Sequence, residues 1–182
     1  NLLFIYGGVG LGKTHLMHAI GNYINAKFPQ KRIMYITTDK YIADYVESIR
    51  DSKTSVAFRE KYRSVDVLMI DDIQFIASKQ GTQEALFHTF NDLYQNDKHI
   101  IISSDRPPKE IAPLEERLRT RFQWGLLADI QPPDIETRIA ILKKKADAEN
   151  FYLSDDVASF IASNMENNIR DLEGLLNKVM FY

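Results

Sequence analysis

The sequence contains no cysteine, which excludes disulfides and thiolate metal centres while leaving every redox compartment open. It has no run of about 18 apolar residues, so no membrane-spanning helix is expected. No basic-then-apolar leader is visible either, so no signal peptide is expected. The four histidines, His15, His18, His88 and His99, are scattered at spacings that do not suit a metal pair, and they read as structural or surface residues. A surplus of one charge sign is also missing: the formal net charge is −2, and residues 1–131 carry 17 basic against 16 acidic side chains. Strong sequence-independent binding of nucleic acid by a lone chain is therefore not expected from charge. No repeat or low-complexity segment interrupts an ordinary globular composition, 45% hydrophobic over 182 residues.

What is present is an alternation. The apolar runs "LLFIY", "RIMYI", "VDVLMI", "HIIIS" and "GLLADI" are separated by helical patterns, which predicts an α/β fold with a parallel sheet covered on both faces. "QPPD", Gln131 to Asp134, ends the alternation, because paired prolines stop regular structure and Asp134 can cap the next helix. Only helical patterns come after it: "IETRIAILKKKADAEN", "SDDVASFIASNM" with Ser154 as its cap, and "NNIRDLEGLLNKVMFY". The expected organisation is a nucleotide-binding core over residues 1–131, with a helical insert at about 38–64, and then a helical lid over 132–182. Lys143 to Lys145 read as the solvated face of the first lid helix.

The chemistry begins at "GGVGLGKTHL", Gly7 to Leu16, between a strand-like run and a helical one. The pattern G-x4-G-K-T in that setting predicts a phosphate-binding loop. Backbone amides along Gly8, Val9, Gly10, Leu11, Gly12, Lys13, Thr14 and His15 can point into one concavity and hold the polyphosphate of ATP or ADP, helped by the positive end of the helix. Lys13 supplies a charge for the outer phosphates, and the Thr14 hydroxyl is a candidate Mg²⁺ ligand. In "VDVLMIDDIQF" an apolar strand delivers Asp71 and Asp72 at its carboxyl end, where open α/β sheets bind ligands. Asp71 can hold Mg²⁺ through water, and Asp72 can orient or deprotonate an attacking water. "IIISSDRPP" ends another strand in Ser103, Ser104 and Asp105, a polar tip able to sense a γ-phosphate or position water. "LEERLRTRFQWG" sets Arg117 and Arg121 four apart on one helical face, and Arg170 stands near the start of the last helix.

Taken in order, "GGVGLGKTHL", "IDDIQF", "SDRPP", "RLRTRF", "PPDIETR" and "NNIRDLEG" resemble the AAA+ ATPase domain of the DnaA family of bacterial chromosomal replication initiators, from Leu2 to the end of the sequence. The resemblance implies a five-stranded parallel sheet of order 5-1-4-3-2 with a C-terminal helical lid. It implies a slow, assembly-dependent ATPase in the bacterial cytoplasm that binds ATP, ADP and Mg²⁺. Its ATP form would assemble into an oligomer or filament on origin DNA and promote duplex opening. Asp105 matches the first sensor, Arg121 the arginine finger, Arg117 its companion between subunits, and Arg170 the second sensor. The insert "TDKYIADYVESIRDSKTSVAFREKYRS" takes the place of a family element that lines a channel for single-stranded DNA, with Val46 at one implicated position and Lys79 in a second implicated loop. Gly81 stands in that loop where relatives often carry arginine. Within the insert, Tyr41, Ile42, Tyr45, Val46 and Ile49 form an amphipathic stripe, most of it expected to pack in the core. The resemblance further implies an adenine-contacting segment before Asn1 and a duplex-reading helix-turn-helix domain after Tyr182, so the sequence reads as a domain of a longer protein. A helicase-loader ATPase of the same replication clade is the near alternative, and a small-molecule phosphotransferase the distant one.

Overall fold

All five apolar runs become strands: β1 (Leu2–Tyr6), β2 (Ile33–Thr37), β3 (Val67–Asp71), β4 (His99–Ser104) and β5 (Leu126–Asp129). In the computed structural model, which describes residues 1–164 and 168–180, they form one parallel sheet of order β2-β3-β4-β1-β5, the expected order read from the other edge. β3 is buried throughout and β4 nearly so, because interior parallel strands carry helices on both faces, whereas β5 closes one edge and is mostly exposed. The register pairs Thr37 with Asp71, Ile70 with Ile102, and Tyr6 with Ser104. The carboxyl ends of four strands therefore finish side by side.

The chain divides into two units, one of Asn1–Gly7 with Lys13–Asp129 and the other of Gly8–Gly12 with Ile130–Tyr182. In the first, helices α1 (Lys13–Lys27), α2 (Thr38–Ser48), α3 (Ser52–Arg63), α4 (Gln80–Gln95) and α5 (Glu116–Gln123) surround the sheet. Thr37 and Asp51 cap α2 and α3 by accepting from the Lys40 and Thr54 amides. α1 packs on β3 at Gly21, which faces the Met69 side chain. Phe4, Ile70, Phe90, Ile102 and Phe122 are central to the core, and the insert joins it through Tyr41 and Tyr62, whose rings meet edge to face at 4.8 Å.

The insert corrects one expectation. Of its stripe only Tyr41 is fully buried; Ile42 and Tyr45 are half-buried, while Val46 and Ile49 are exposed. Helical periodicity marks which residues share a face, but the Phe58 ring of α3 covers only the Tyr41 and Tyr45 part of it.

The second unit has its own core, including Leu142, Ala158, Ile161, Leu172 and Leu176, contributed by α6 (Ile135–Ala148), α7 (Asp155–Asn164) and α8 (Ile169–Met180). Asp134 caps α6, accepting from the Thr137 amide at 2.8 Å, and Ser154 immediately precedes α7. Lys143 pairs with Asp155, and Lys145 with Glu173 at 2.6 Å, so the basic run is an ion-paired face of α6 as well as a solvated one. Met165, Asn167, Phe181 and Tyr182, expected at helix ends, lie outside the described residues.

Candidate functional site

β1 ends at Tyr6, and the chain bends through the glycine-rich loop before α1 begins at Lys13. Gly10 and Gly12 adopt φ of 78° and 88°, a region closed to most side chains. Lys13 is only 7% exposed, and its Nζ donates to the Gly7 carbonyl at 2.8 Å, folding the side chain back along the loop. Val9 and His15 are exposed and Leu11 is buried.

The Asp71 carboxylate is the hub of the first unit's polar cluster. One oxygen, Oδ2, accepts from Thr14 Oγ1 at 2.7 Å and from the Tyr35 hydroxyl at 2.7 Å; the other, Oδ1, accepts from Ser103 Oγ. Its backbone carbonyl accepts from Thr38 Oγ1 at 2.9 Å. Burial alone would push this carboxyl up, but the hydroxyl donors Ser103, Tyr35 and Thr14 together outweigh it and hold the group below the ordinary carboxylate range. Burial and the same carboxylate raise the Tyr35 phenol, so it remains a protonated donor. Ser103 also accepts from the Asp72 amide at 2.8 Å, which ties the two aspartates to β4. Asp72 occupies the left-handed region at φ 57° and ψ 52°, a conformation that aspartate tolerates better than most side chains and that turns it away from the strand direction.

Gln74 spans the gap to the next strand. Its Nε2 donates to Asp72 Oδ1 at 3.2 Å and its Oε1 accepts from the Asp105 amide at 3.3 Å. The Asp105 carboxylate is engaged by Arg106 through two hydrogen bonds of 2.8 Å, and the Arg106 guanidinium, with a smaller contribution from Lys13, holds it below its ordinary value. The structure thus brings Lys13, Thr14, Asp71, Asp72 and Asp105 together at the carboxyl edge. Tyr35, Thr38 and Gln74 belong to the same cluster and were not singled out from the sequence. Only the register reveals Tyr35: β2 residues two apart share a face, and Thr37 pairs with Asp71, so Tyr35 lies diagonally opposite that carboxylate.

In the second unit the loop meets the start of α8. The Ile169 amide donates to the Gly10 carbonyl at 3.1 Å, and Asn168 Oδ1 accepts from the Arg170 amide at 2.8 Å. A Cβ on Gly10 would fall within 1.8 Å of Asn168 Oδ1, a second reason for glycine there. Arg170 is exposed on the first turn of α8, directly after the residue bonded to the loop.

Arg121 stands elsewhere. Its guanidinium lies over Tyr94 and Trp124, 5.8 and 5.2 Å from the ring centroids, beside a cavity of about 290 Å³ that it shares with Asn1, Leu2 and Leu126. Those residues mark the amino-terminal end of β1, opposite the end that leads to Lys13. Arg117 pairs with Glu115 at 2.6 Å and covers the Phe87 ring at 4.5 Å. Val46 is exposed on α2 and Lys79 just before α4. Gly81, expected in a loop, lies in the first turn of α4, where a Cβ would stand 2.8 Å from the Tyr45 hydroxyl, so the start of α4 directly after Lys79 runs beside the residue preceding Val46.

Among the described residues no three histidine or acidic side chains converge as a metal cage. One carboxylate beside one hydroxyl is instead the donor set of a magnesium held largely by phosphate and water.

The Bacterial DnaA ATPase domain family matches residues 1–129. The chromosomal replication initiator protein DnaA of Caldanaerobacter subterraneus subsp. tengcongensis is 60% identical over all 182 residues, which span 41% of that relative's length. Among solved structures, domain III of the Thermotoga maritima replication initiation protein DnaA superposes with a TM-score of 0.95 at 49% identity, covering 100% of this chain and 76% of that one. A replication initiator DnaA bound to AMPPCP and single-stranded DNA gives 0.89 at 38% identity, covering 99% of this chain and 55% of that one. A family match over residues 1–129, most of the chain, places it in the bacterial DnaA ATPase domain family.

Proposed function

We propose that this chain is the ATP-reading part of a bacterial replication initiator: it binds ATP or ADP with Mg²⁺, hydrolyses ATP slowly, and assembles in its ATP form into an oligomer or filament on origin DNA in the cytoplasm. The loop amides from Gly8 to His15 hold the phosphates, and Lys13 turns from the Gly7 carbonyl to the outer ones. Thr14 and Asp71 hold the metal, which when bound neutralises charge on the outer phosphate oxygens. Asp72 orients or deprotonates the attacking water, and Asp105 senses the γ-phosphate from β4. Arg170 reads the nucleotide within its own subunit. The exposed Val46 and the neighbouring Lys79 contact single-stranded DNA, and duplex recognition belongs to a further domain of the whole protein.

One observation carries the switch. Arg121 lies at the amino-terminal end of β1, and the Lys13 ammonium lies at the other end against Gly7. At about 3.3 Å per residue, Leu2 to Tyr6 span roughly 13 Å, further than an arginine reaches. An Arg121 acting on a γ-phosphate therefore acts on a neighbour's, with Arg117 beside it at the same interface. Arginine suits that task because its planar fork stays charged and bridges phosphate oxygens in a bidentate way.

The test mixes variants of the whole protein. Arg121→Ala should bind ATP as a monomer within about twofold of the parent yet form no ATP-dependent oligomer by sedimentation. Lys13→Ala should not bind ATP tightly but should still donate its finger. Mixed, the two restore only one productive pairing, so short assemblies and partial hydrolysis return. Loss of monomer ATP binding in Arg121→Ala, or filaments from it alone, would overturn the reading.

A further inference from the structure

Asp71 is oriented by three hydroxyls, and only two of them come from elements that the nucleotide reading uses: Thr14 from the loop and Ser103 from the sensor strand. The third, Tyr35, comes from β2 and shares Oδ2 with Thr14, both at 2.7 Å. A carboxylate oxygen has two in-plane acceptor directions. With Tyr35 in one of them, the Thr14 proton is confined to the other, and the Thr14 lone pairs are turned away from Asp71. A hydroxyl that donates to the carboxylate while presenting its lone pairs outward is prepared as a metal ligand. Without Tyr35, Oδ2 could take the Thr14 proton from either direction, and the carboxylate could turn about its own axis on the remaining two bonds.

The Tyr35 ring is itself held. His18 packs against it in a tilted arrangement, with centroids 4.3 Å apart and planes at 38°. His18 lies one helical turn beyond Thr14 on α1, so the same helix supplies the metal-facing hydroxyl and the clamp on the phenol that orients it. The phenol therefore points to one acceptor, and removing its oxygen leaves the ring contact intact.

We infer that Tyr35 is a positioning residue for magnesium: through Asp71 Oδ2 it presets the Thr14 hydroxyl, and so sets the magnesium concentration at which ATP binding tightens. This rests on the nucleotide reading above, and the experiment separates the two. Labelled ATP is bound to the whole protein in EDTA and then across a magnesium titration, for the parent, Tyr35→Phe and Asp71→Asn, with thermal unfolding in EDTA as the check on folding. Tyr35→Phe keeps the ring on His18 and leaves Oδ2 its bond from Thr14, so it should unfold within about 5 °C of the parent and bind ATP in EDTA with the parent's affinity. Its magnesium midpoint should rise by about three- to tenfold, as expected for losing one charge-assisted hydrogen bond to a ligand's partner. Asp71→Asn should shift the midpoint further. If Asp71→Asn shifts and Tyr35→Phe does not, the inference fails and the nucleotide reading stands. A Tyr35→Phe that loses ATP affinity equally with and without magnesium likewise overturns it, since the hydroxyl would then serve the fold or the nucleotide. A parent whose ATP binding ignores magnesium overturns both.

Discussion

At the carboxyl ends of β3 and β4, Asp71, Ser103 and Ser104 are buried and the Asp71 carboxylate by itself accepts three side-chain hydroxyls; around the amino-terminal end of β1, Trp124 is 72% exposed and Arg121 lies over two aromatic faces. The first end is complete without a partner molecule, because polar atoms out of water cost more when unpaired than they gain when paired. The second leaves a large aromatic surface in water, which a folded chain has no internal reason to do. On the proposed function, the difference separates a region preset for a small anionic ligand from one that offers a charged group to a neighbouring subunit.

The strongest way to break this contrast lies in the chemistry of the preset end. Asp72→Asn keeps the shape and the acceptor for Gln74 but loses the negative charge, so hydrolysis should fall by about a hundredfold or more while ATP affinity stays near the parent. A phosphate-release assay beside equilibrium binding reads both, and parental turnover would make the acidic pair structural. Lys13→Ala should weaken ATP binding by roughly one to two decades, the loss of one charged hydrogen bond of about 1.5 to 3 kcal/mol. Unchanged affinity would remove the loop assignment.

Ser103→Ala tests whether the preset end is as tightly coupled as its hydrogen bonds imply. It strands Asp71 Oδ1 and the Asp72 amide at once, so denaturant unfolding should report a loss of about 1 to 3 kcal/mol. Trp124→Leu tests the opposite end, where nothing is enclosed. Stability should change by no more than about 1 kcal/mol, the scale of an exposed cation–π contact. Trp124 is also the single tryptophan of the sequence, so its emission should change when ATP-driven assembly draws Arg121 away, and should stay flat in Arg121→Ala.

The smallest effect belongs to the insert. Burial opposes ionisation of Asp44, but hydrogen bonds from Lys61, Tyr62 and Lys40 prevail and bring its carboxyl down to about 2, below the ordinary 3.8. A carboxyl lowered on folding contributes stability that is present above its unfolded value and lost as pH falls through its folded one. Stability should therefore decline between about pH 4 and pH 2, and Asp44→Asn should flatten the part of that decline due to this site.

Much of the preset end was legible beforehand. Gly10, Gly12, Lys13 and Thr14 are readable because a phosphate loop demands special backbone angles and a charge at fixed spacing along the chain, and Asp71 and Asp72 because an apolar strand that ends in acids is conspicuous. Tyr35 and Gln74 were not, since a tyrosine inside an apolar run looks like strand filler until β2 is laid beside β3. The insert's stripe was expected to lie mostly in the core, yet only Tyr41 is fully buried, because helical period identifies a face and says nothing of how far a neighbouring helix extends over it.

By itself, then, the sequence determined the elements, the phosphate loop and the acidic strand end, all of which are properties of short stretches governed by local sterics and by the period of burial. The tertiary structure decided which hydroxyls converge on Asp71, that α8 starts against Gly10, and that Arg121 lies at the far end of β1 from Lys13. Those are relations between residues distant in the chain, and they exist only once parallel pairing has set the register and the orientation of the strands.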